Sequence, residues 1–220
     1  EDEILVWTSH MGGFPVDTNN HHGVVQVAPA AHAEHSAGSN TTFDQCRVDV
    51  LTVFGVAGAL MFGASAAYHW GDESRRFLRR LDHAAIYLMI AGSYTPLCLY
   101  GMAQPAASWV LALQWILASC GVVVSLSVEK TPTWLRLTLY LAMGWMALPV
   151  VGAILLVAGT APVAWMFIGG AFYTIGAIVY GIKKPDISPQ QYGFHGLWHL
   201  FVLGGAASHW MMARQLVAPG

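Results

Sequence analysis

Three short segments of the sequence carry residues that can bind a metal ion or move a proton. They read SAAYH, DH and HGLWH in chain order. Residues four positions apart lie on the same face of a helix, so Ser65 and His69 can point in one direction. The same spacing holds for His195 and His199. Each pair can therefore contribute both of its side chains to one site.

Imidazole nitrogens are common ligands of zinc, and His69, His195 and His199 could form a set of three. A zinc ion held by three histidines keeps a fourth position for water and lowers the pKa of that water toward neutrality, which supplies a nucleophile. Asp82 would be a nearby carboxylate that orients or deprotonates the water, and the Ser65 hydroxyl could hydrogen-bond to it. The pattern indicates hydrolytic chemistry.

Each of these residues also has an ordinary structural interpretation. His69 suits the membrane interface, and Asp82 suits the first turn of a helix, where the helix dipole favours an acidic group. An HxxxH pair alone is a weak signal for a metal. His83 fits either a partner of Asp82 or an interfacial residue, and no ligand role is assigned to it. His209 lies about 15 Å along a helix from His199, which places it outside the same coordination shell.

The elements that must position these residues are long apolar helices. Of 220 residues, 55% are hydrophobic and 10% are charged, whereas a soluble domain carries about 25% charged residues. A helix needs about 20 apolar residues to cross the hydrocarbon core of a membrane. Six segments meet this requirement: 50–69, 83–101, 107–128, 134–157, 162–182 and 194–214. The sequence predicts an all-α, polytopic transmembrane helical bundle over residues 50–214, followed by a short tail at 215–220.

Basic residues orient the predicted bundle, because Lys and Arg accumulate in short cytoplasmic loops. Eight of the ten basic residues fall in alternate connections: Arg75, Arg76, Arg79, Arg80, Lys130, Arg136, Lys183 and Lys184. This distribution places the C-terminus outside. It also places the end of the first predicted span and the starts of the second and sixth on the cytoplasmic side. The three segments that carry the candidate residues therefore converge, and ionisable groups at such a place usually mark a site.

The first 49 residues differ from the rest of the chain. Between Gly12 and Val50 there is no Leu, Ile or Met. The histidines of this stretch are His21, His22, His32 and His35. A loose, solvated, low-complexity tail is favoured over a metal-binding tail. No membrane span is predicted within residues 1–49.

Composition argues against several other classes of protein. The formal net charge of -2 provides no basic surface for nucleic acid, and no phosphate-binding loop of the Walker type occurs. The cysteines, Cys46, Cys98 and Cys120, have no CxxC spacing. Neither a nucleic-acid partner nor a disulfide framework is therefore predicted.

Several ordered motifs resemble those of one known family. They are SAAYH, LDHAAIYLMIAGSYTP, YLAMGW, GGAFYTIGAIVY and GFHGLWHLFVLGGAASHW. On these motifs the predicted bundle resembles the haemolysin III family of bacterial membrane proteins, relatives of the progestin and adipoQ receptors. The resemblance implies a seven-helix bundle with its N-terminus inside and a zinc ion held by three histidines. It places the zinc ligands at His69, His195 and His199, and the Ser and Asp of the site at Ser65 and Asp82.

One departure from the family pattern lies ahead of the first predicted span. Family members have a membrane helix before the SxxxH span. This chain therefore has six clear predicted spans, whereas the family has seven. Glu3, Ser9, His10 and Gly13 resemble the acidic residue, small hydroxyl, His and Gly that precede that helix. The polar stretch after them either replaces the missing helix or is a divergent version of it.

The wider superfamily implied by the resemblance includes ceramide-cleaving membrane hydrolases. The residues and the resemblance together predict a zinc-dependent hydrolase of a lipid amide or ester, acting at the inner leaflet of a bacterial plasma membrane. Two alternatives stay open. One is a non-enzymatic receptor or stress-related membrane protein whose zinc is structural, and the other is a cytolytic pore, which the family name suggests. The lipid bilayer is the expected partner in each case.

Overall fold

The structure, a computed structural model, describes residues 39–70, 75–128, 131–185 and 193–217. Within these residues the regular structure is entirely helical. The helices are α1 (Ser39–Trp70), α2 (Arg75–Gly101), α3 (Ala106–Ser127), α4 (Thr133–Gly144), α5 (Val151–Ala158), α6 (Thr160–Ile182) and α7 (Phe194–Val217). A 3-10 segment, Trp145–Val150, joins α4 to α5. The predicted all-α fold class is confirmed.

Among the described residues, five helical stretches are long and apolar enough to cross a membrane: Arg47–Trp70, Arg76–Gly101, Ala106–Ser127, Thr133–Ala158 and Thr160–Ile182. They correspond to the first five predicted spans. The sixth predicted span is α7, which has 24 residues. Its histidines, His195, His199 and His209, lower its mean hydropathy below that of the other five stretches. This more polar helix packs against α6 and α2.

Two helices begin earlier than the predicted spans. Helix α1 begins at Ser39, inside the segment 1–49, and α2 begins at Arg75, ahead of position 83. The extra turns are polar, and hydropathy detects only the part of a helix that faces hydrocarbon. The end of the polar N-terminal segment is therefore helical. Several residues considered above lie outside the described residues: Glu3, Ser9, His10, Gly13, His21, His22, His32, His35 and Lys130.

Helix α2 lies at the centre of the bundle. It contacts α1, α3, α4, α5 and α7, and residues 91–98 are all buried. In its apolar stretch 72% of the residues are buried, against 11% in that of α3. A helix that borders lipid is buried on one side only, so α2 is enclosed by its neighbours whereas α3 faces lipid along much of its surface. The polar start of α2 is thereby held among the surrounding helices.

Helices α6 and α7 pack closely through glycines, which sets the position of the HGLWH segment at the start of α7. A Cβ atom at Gly205 would lie 2.6 Å from the Tyr173 ring, and one at Gly176 would lie 2.8 Å from Cβ of Phe201. A larger residue at either position would require the neighbouring side chain to move. Small residues allow such close approach in membranes, where packing drives the association of helices.

The fourth predicted span, 134–157, is confirmed as a stretch of membrane length, but the 3-10 segment interrupts its α-helix. Pro149 lies in this segment and cannot donate a backbone hydrogen bond. The Tyr94 hydroxyl of α2 donates to the Gly144 carbonyl at 2.8 Å and accepts from the Ala147 N–H at 2.9 Å. Backbone groups within a membrane need such partners, so Tyr94 stabilises both sides of the interruption.

Candidate metal centre

Two helices bring the three candidate histidines to one end of the bundle. His69 lies in the last turn of α1, which ends at Trp70. His195 and His199 lie in the first two turns of α7, which begins at Phe194. Because α1 and α7 contact each other and both contact α2, the end of one meets the start of the other. The structure therefore shows the three histidines in one place.

The three imidazole rings point their Nε2 atoms at one another. The Nε2–Nε2 distances are 3.2 Å between His69 and His199, 3.3 Å between His195 and His69, and 3.1 Å between His199 and His195. The rings meet edge-on, with interplanar angles of 62°, 79° and 86°. The three nitrogens thus form a nearly equilateral triangle, and their lone pairs can converge on one point.

Hydrogen bonding among the histidines cannot account for this triangle. The Nε2 atom of a neutral imidazole carries either a proton or a lone pair, so three such atoms cannot form three mutual hydrogen bonds. A metal ion that accepts three lone pairs satisfies all of them. In a tetrahedral site with metal–nitrogen distances of about 2.0–2.1 Å, the ligand nitrogens lie roughly 3.3 Å apart. The observed distances fit this geometry, and the three histidines can together hold a metal ion.

Asp82 and Ser65 lie beside the histidines. Asp82, half-buried in α2, lies close enough to Ser65, His69 and His195 to interact with all three. Ser65 lies one helical turn before His69 in α1. The structure therefore brings together every residue that the sequence analysis assigned to the site, although those residues come from three different helices.

Aromatic rings that the sequence analysis did not single out contact the histidines. The centre of the Tyr180 ring, in the last turn of α6, lies 5.7 Å from that of His195 and 5.4 Å from that of Trp198. The Tyr68 ring lies 5.2 Å from the His69 ring. These contacts restrict the orientation of the imidazoles. Tyr180 is the last residue of the motif GGAFYTIGAIVY. It lies near the end of the fifth predicted span, on the side where the histidines were expected, and this position could have indicated that it contacts them.

Two other histidines stay outside the triangle. The His83 carbonyl accepts a hydrogen bond from the Tyr140 hydroxyl at 2.8 Å, which ties the start of α2 to α4. The Nδ1 atom of His209 lies 3.0 Å from the Gly205 carbonyl oxygen, to which it can donate a hydrogen bond. Its ring packs against Tyr173, with centres 5.5 Å apart. His209 therefore bonds within its own helix, as its distance along α7 led us to expect.

A cavity of about 420 Å³ lies next to the histidines. Its polar lining includes Ser65, Asp82, His195, His199, Arg79, Arg80 and Arg136. In the sequence these arginines indicate only the orientation of the bundle, because their place around one cavity depends on how α2 and α4 pack. Met61, Ile86 and Val202 supply apolar lining. The site therefore opens onto a space that suits an amphipathic molecule.

Comparison with known protein families gives a match over nearly the whole chain. The family model described as "Haemolysin-III related" matches residues 3–210. The chain belongs to the haemolysin III family. The resemblance inferred from the motifs is confirmed, and the match extends ahead of those motifs into the polar N-terminal segment. The chain is thus an integral membrane protein of a polytopic helical family.

Individual relatives agree with this assignment. The chain is 33% identical over 159 residues to the Hemolysin-3 homolog of Bacillus subtilis (strain 168), or 71% of this chain and 72% of that protein. It is 30% identical over 174 residues to Hemolysin-3 of Bacillus cereus, or 78% of this chain and 77% of that protein. A more distant relative is the Adiponectin receptor protein of Drosophila melanogaster, 26% identical over 185 residues, or 73% of this chain and 41% of that protein. The chain is therefore similar to two bacterial proteins of this family and, more distantly, to a protein of Drosophila melanogaster.

Proposed function

We propose that this member of the haemolysin III family is a zinc-dependent hydrolase that cleaves an amide or ester bond of a membrane lipid. The observation that carries the proposal is the triangle of Nε2 atoms from His69, His195 and His199, with a carboxylate beside it. Ionisable groups are costly to place near the hydrocarbon core, and helix packing does not require them. A metal-dependent reaction would explain why the histidines and the carboxylate lie together at this place.

The donor set favours zinc among the common metals. Imidazole nitrogens suit zinc, whereas magnesium and calcium prefer oxygen ligands. The described ligand group consists of three histidines without a carboxylate, unlike the two-histidine, one-carboxylate set typical of non-haem iron. When bound by three histidines, zinc supplies a Lewis acid and an activated water, because one coordination position stays open.

Asp82 is assigned the transfer of protons during the reaction. Its carboxylate interacts electrostatically with His69 and His195, so it can take a proton from the attacking water and return it to the leaving amine or alcohol. We assign the orientation of that carboxylate to the Ser65 hydroxyl, which lies beside it. Ser65 is therefore a positioning residue, since it acts through Asp82.

The lining of the cavity supports a lipid substrate. Met61, Ile86 and Val202 line the 420 Å³ cavity together with the polar groups, and they also line a second, mostly apolar cavity of about 80 Å³ in the bundle interior. An amphipathic molecule can therefore place its head among the polar groups and its apolar part along these side chains. An amide or ester bond between head and tail then lies close to the histidines.

The proposed location is the bacterial inner (plasma) membrane, with the site on the cytoplasmic side and the C-terminus outside. Arg79, Arg80 and Arg136 line the cavity that contains His195 and His199, so the arginines and the histidines share one end of the bundle. Basic residues in short loops favour the cytoplasmic side. A substrate at this end comes from the inner leaflet.

The metal content of detergent-purified protein tests the proposal. Elemental mass spectrometry should find about one zinc per chain, as in other three-histidine sites. His69→Ala and His199→Ala should lose the metal, because two histidines cannot replace three. His83→Gln is the matched control, since His83 lies near the site without joining the metal-binding group, and it should keep its zinc. The parent should release fatty acid from lipid amides or esters, and both alanine variants should be inactive.

Two outcomes would contradict this proposal in different ways. Full zinc content in His199→Ala would exclude the three-histidine site. One zinc per chain in a parent that cleaves none of the lipid amides and esters would exclude the hydrolase and leave a structural metal.

The names of two relatives favour a second class of function, in which the protein is not an enzyme. One relative is named Hemolysin-3, which favours a cytolytic protein, and another is named Adiponectin receptor protein, which favours a receptor with structural zinc. Dye release from liposomes that contain the purified protein, without lipid cleavage, would support the cytolytic function. X-ray absorption spectra that show four protein ligands would support the receptor, because no position for water is then open.

A further inference from the structure

We propose that the cavity beside the histidines binds the phosphate group of a lipid through Arg79 and Arg136, so that the substrates are lipid phosphates and not neutral lipids. The catalytic part of this inference rests on the hydrolase function proposed above. The phosphate site itself can be tested by binding alone.

Arg79 and Arg136 come from different helices and line the same cavity. Arg79 lies in the second turn of α2 and Arg136 in the first turn of α4, and both line the cavity with Ser65 and Asp82. Arg76, one turn before Arg79, is exposed and does not line it. The preference for basic residues on the cytoplasmic side explains why this end of the bundle holds arginines. It does not explain why two arginines from separate helices line the same cavity.

The charge of the cavity favours an anion. Within the described part of the chain, its lining holds three arginines against one carboxylate, that of Asp82. Arg80 is tied to the fold, because its Nη1 atom donates a hydrogen bond to the Leu126 carbonyl at 3.1 Å. Arg79 and Arg136 are therefore the arginines that serve a ligand, and an anion between them would form charge-assisted hydrogen bonds.

Hydroxyl groups complete a set of donors that suits phosphate. Ser125, Thr131 and Thr133 line the same cavity, at the end of α3 and the start of α4. A guanidinium binds phosphate through two parallel N–H···O bonds, and hydroxyls can donate to the remaining oxygen atoms. A carboxylate has only two oxygens and could not use two guanidinium groups and three hydroxyls together. The donor set therefore fits phosphate better than a carboxylate.

The arginines lie where a single bound lipid can contact both them and the histidines. Arg79 and Arg136 both interact electrostatically with His83, and Arg136 also interacts with the adjacent Asp82. Asp82 in turn interacts with His195. Arg79, Arg136, His195 and His199 line the same cavity, so a lipid bound there can place its phosphate at the arginines and a carbonyl at the histidines. A fatty-acyl glycerol phosphate and an N-acyl sphingoid phosphate both have this arrangement of groups.

Lipid binding measured by native mass spectrometry tests the phosphate site without relying on turnover. The probes are mono-oleoyl glycerol phosphate, mono-oleoyl glycerol and inorganic phosphate, each added to the full chain in detergent. The parent should bind the phosphorylated lipid about tenfold more tightly than the neutral lipid. Arg79→Gln and Arg136→Gln should each lose most of this preference. Arg76→Gln is the matched control and should keep it.

Three outcomes would overturn the proposal. The first is equal binding of the two lipids by the parent, and the second is a loss of preference in Arg76→Gln as large as that in Arg79→Gln. The third is competition by inorganic phosphate as strong as that by the lipid, which would assign the cavity to free phosphate. Thermal unfolding in detergent shows whether each variant is folded, and the exposed position of Arg79 makes its substitution compatible with the fold.

His199→Ala separates this inference from the hydrolase function. A preference for the phosphorylated lipid that persists in this variant supports the arginine site, whether or not the parent cleaves lipids or holds zinc. A preference that disappears with the metal would assign phosphate binding to the metal and overturn the role of the arginines.

Discussion

Polar groups in the middle of the bundle and polar groups at its histidine end are satisfied in different ways. In the middle, Tyr94 bonds to both sides of the 3-10 segment, and the Gln114 side chain donates to the Met143 carbonyl at 2.8 Å. At the histidine end, three Nε2 atoms face one another at distances of 3.1–3.3 Å and cannot all be paired by hydrogen bonds. Tyr94 and Gln114 thus bond to the backbone of the same chain, whereas the three histidines can together hold a metal ion from outside it.

This difference separates polar groups that complete a membrane fold from those that bind a ligand. A polar group in hydrocarbon needs a partner in either case. Where the partner is a backbone group, loss of the side chain should weaken the fold. Where the geometry requires an ion or a substrate, loss of the side chain should weaken binding or turnover. Substitutions in the two regions should therefore have different effects.

The largest expected effect comes from Asp82→Asn at the histidine end. The amide cannot take a proton from water, so hydrolysis should fall by about 10²–10⁴-fold, while zinc content stays near that of the parent. The release of fatty acid under saturating lipid measures the first effect, and elemental analysis measures the second. Asp49→Asn, an exposed position on α1, is the control and should keep full activity. Loss of both zinc and activity would show that Asp82 is needed for zinc binding, and would contradict its assigned role in proton transfer.

A smaller effect is expected for Ser65→Ala. Removal of the hydroxyl beside Asp82 should lower hydrolysis by about 10–100-fold, as for other residues that orient a catalytic group. Ser65→Thr should restore most of the activity, because threonine keeps the hydroxyl. Ser208→Ala removes a hydroxyl that bonds within α7, to the Gly204 carbonyl at 2.8 Å, and should leave turnover unchanged. Equal losses in Ser65→Thr and Ser65→Ala would show that the hydroxyl is not what matters.

The smallest effect on function is expected in the middle of the bundle. Tyr94→Phe removes two hydrogen bonds to the interrupted helix and should lower the free energy of unfolding by about 1–2 kcal/mol, with zinc content unchanged. Tyr173→Phe is the matched control, because the Tyr173 hydroxyl is buried without a hydrogen-bond partner in the described part of the chain. It should be neutral or stabilising. Thermal unfolding in detergent measures the stability of both variants. Loss of zinc in Tyr94→Phe would contradict the proposal that side chains in the middle of the bundle stabilise the fold without affecting the metal site.

The proximity of the three histidines could be predicted from the sequence, because helical spacing and the distribution of basic residues were enough to place them. Spacing placed His195 and His199 on one helical face, and the distribution of Lys and Arg placed the end of the first span and the start of the sixth on one side. Hydropathy located the spans but not the polar turns that begin at Ser39 and Arg75, because those turns lie beyond the apolar part of each helix.

Features that depend on packing between distant segments were not predictable in this way. Pro149 is visible in the sequence, but the interruption around it persists because Tyr94 of another helix supplies its hydrogen bonds. Arg79 and Arg136 line one cavity because α2 and α4 pack against each other. Tyr180 reaches His195 because α6 packs against α7. A single sequence shows each of these residues, but not the neighbour that gives it a role.

The three histidines come from α1 and α7, the first and last helices that the structure describes, and His69 and His195 lie 126 positions apart in the chain. A metal bound there acts as a reversible crosslink that closes this long loop. During synthesis α1 enters the membrane well before α7, so the centre can load only after the intervening helices have inserted. A metal bound at this site would therefore report that assembly is complete, because a chain that stalls before α7 lacks two of the three histidines.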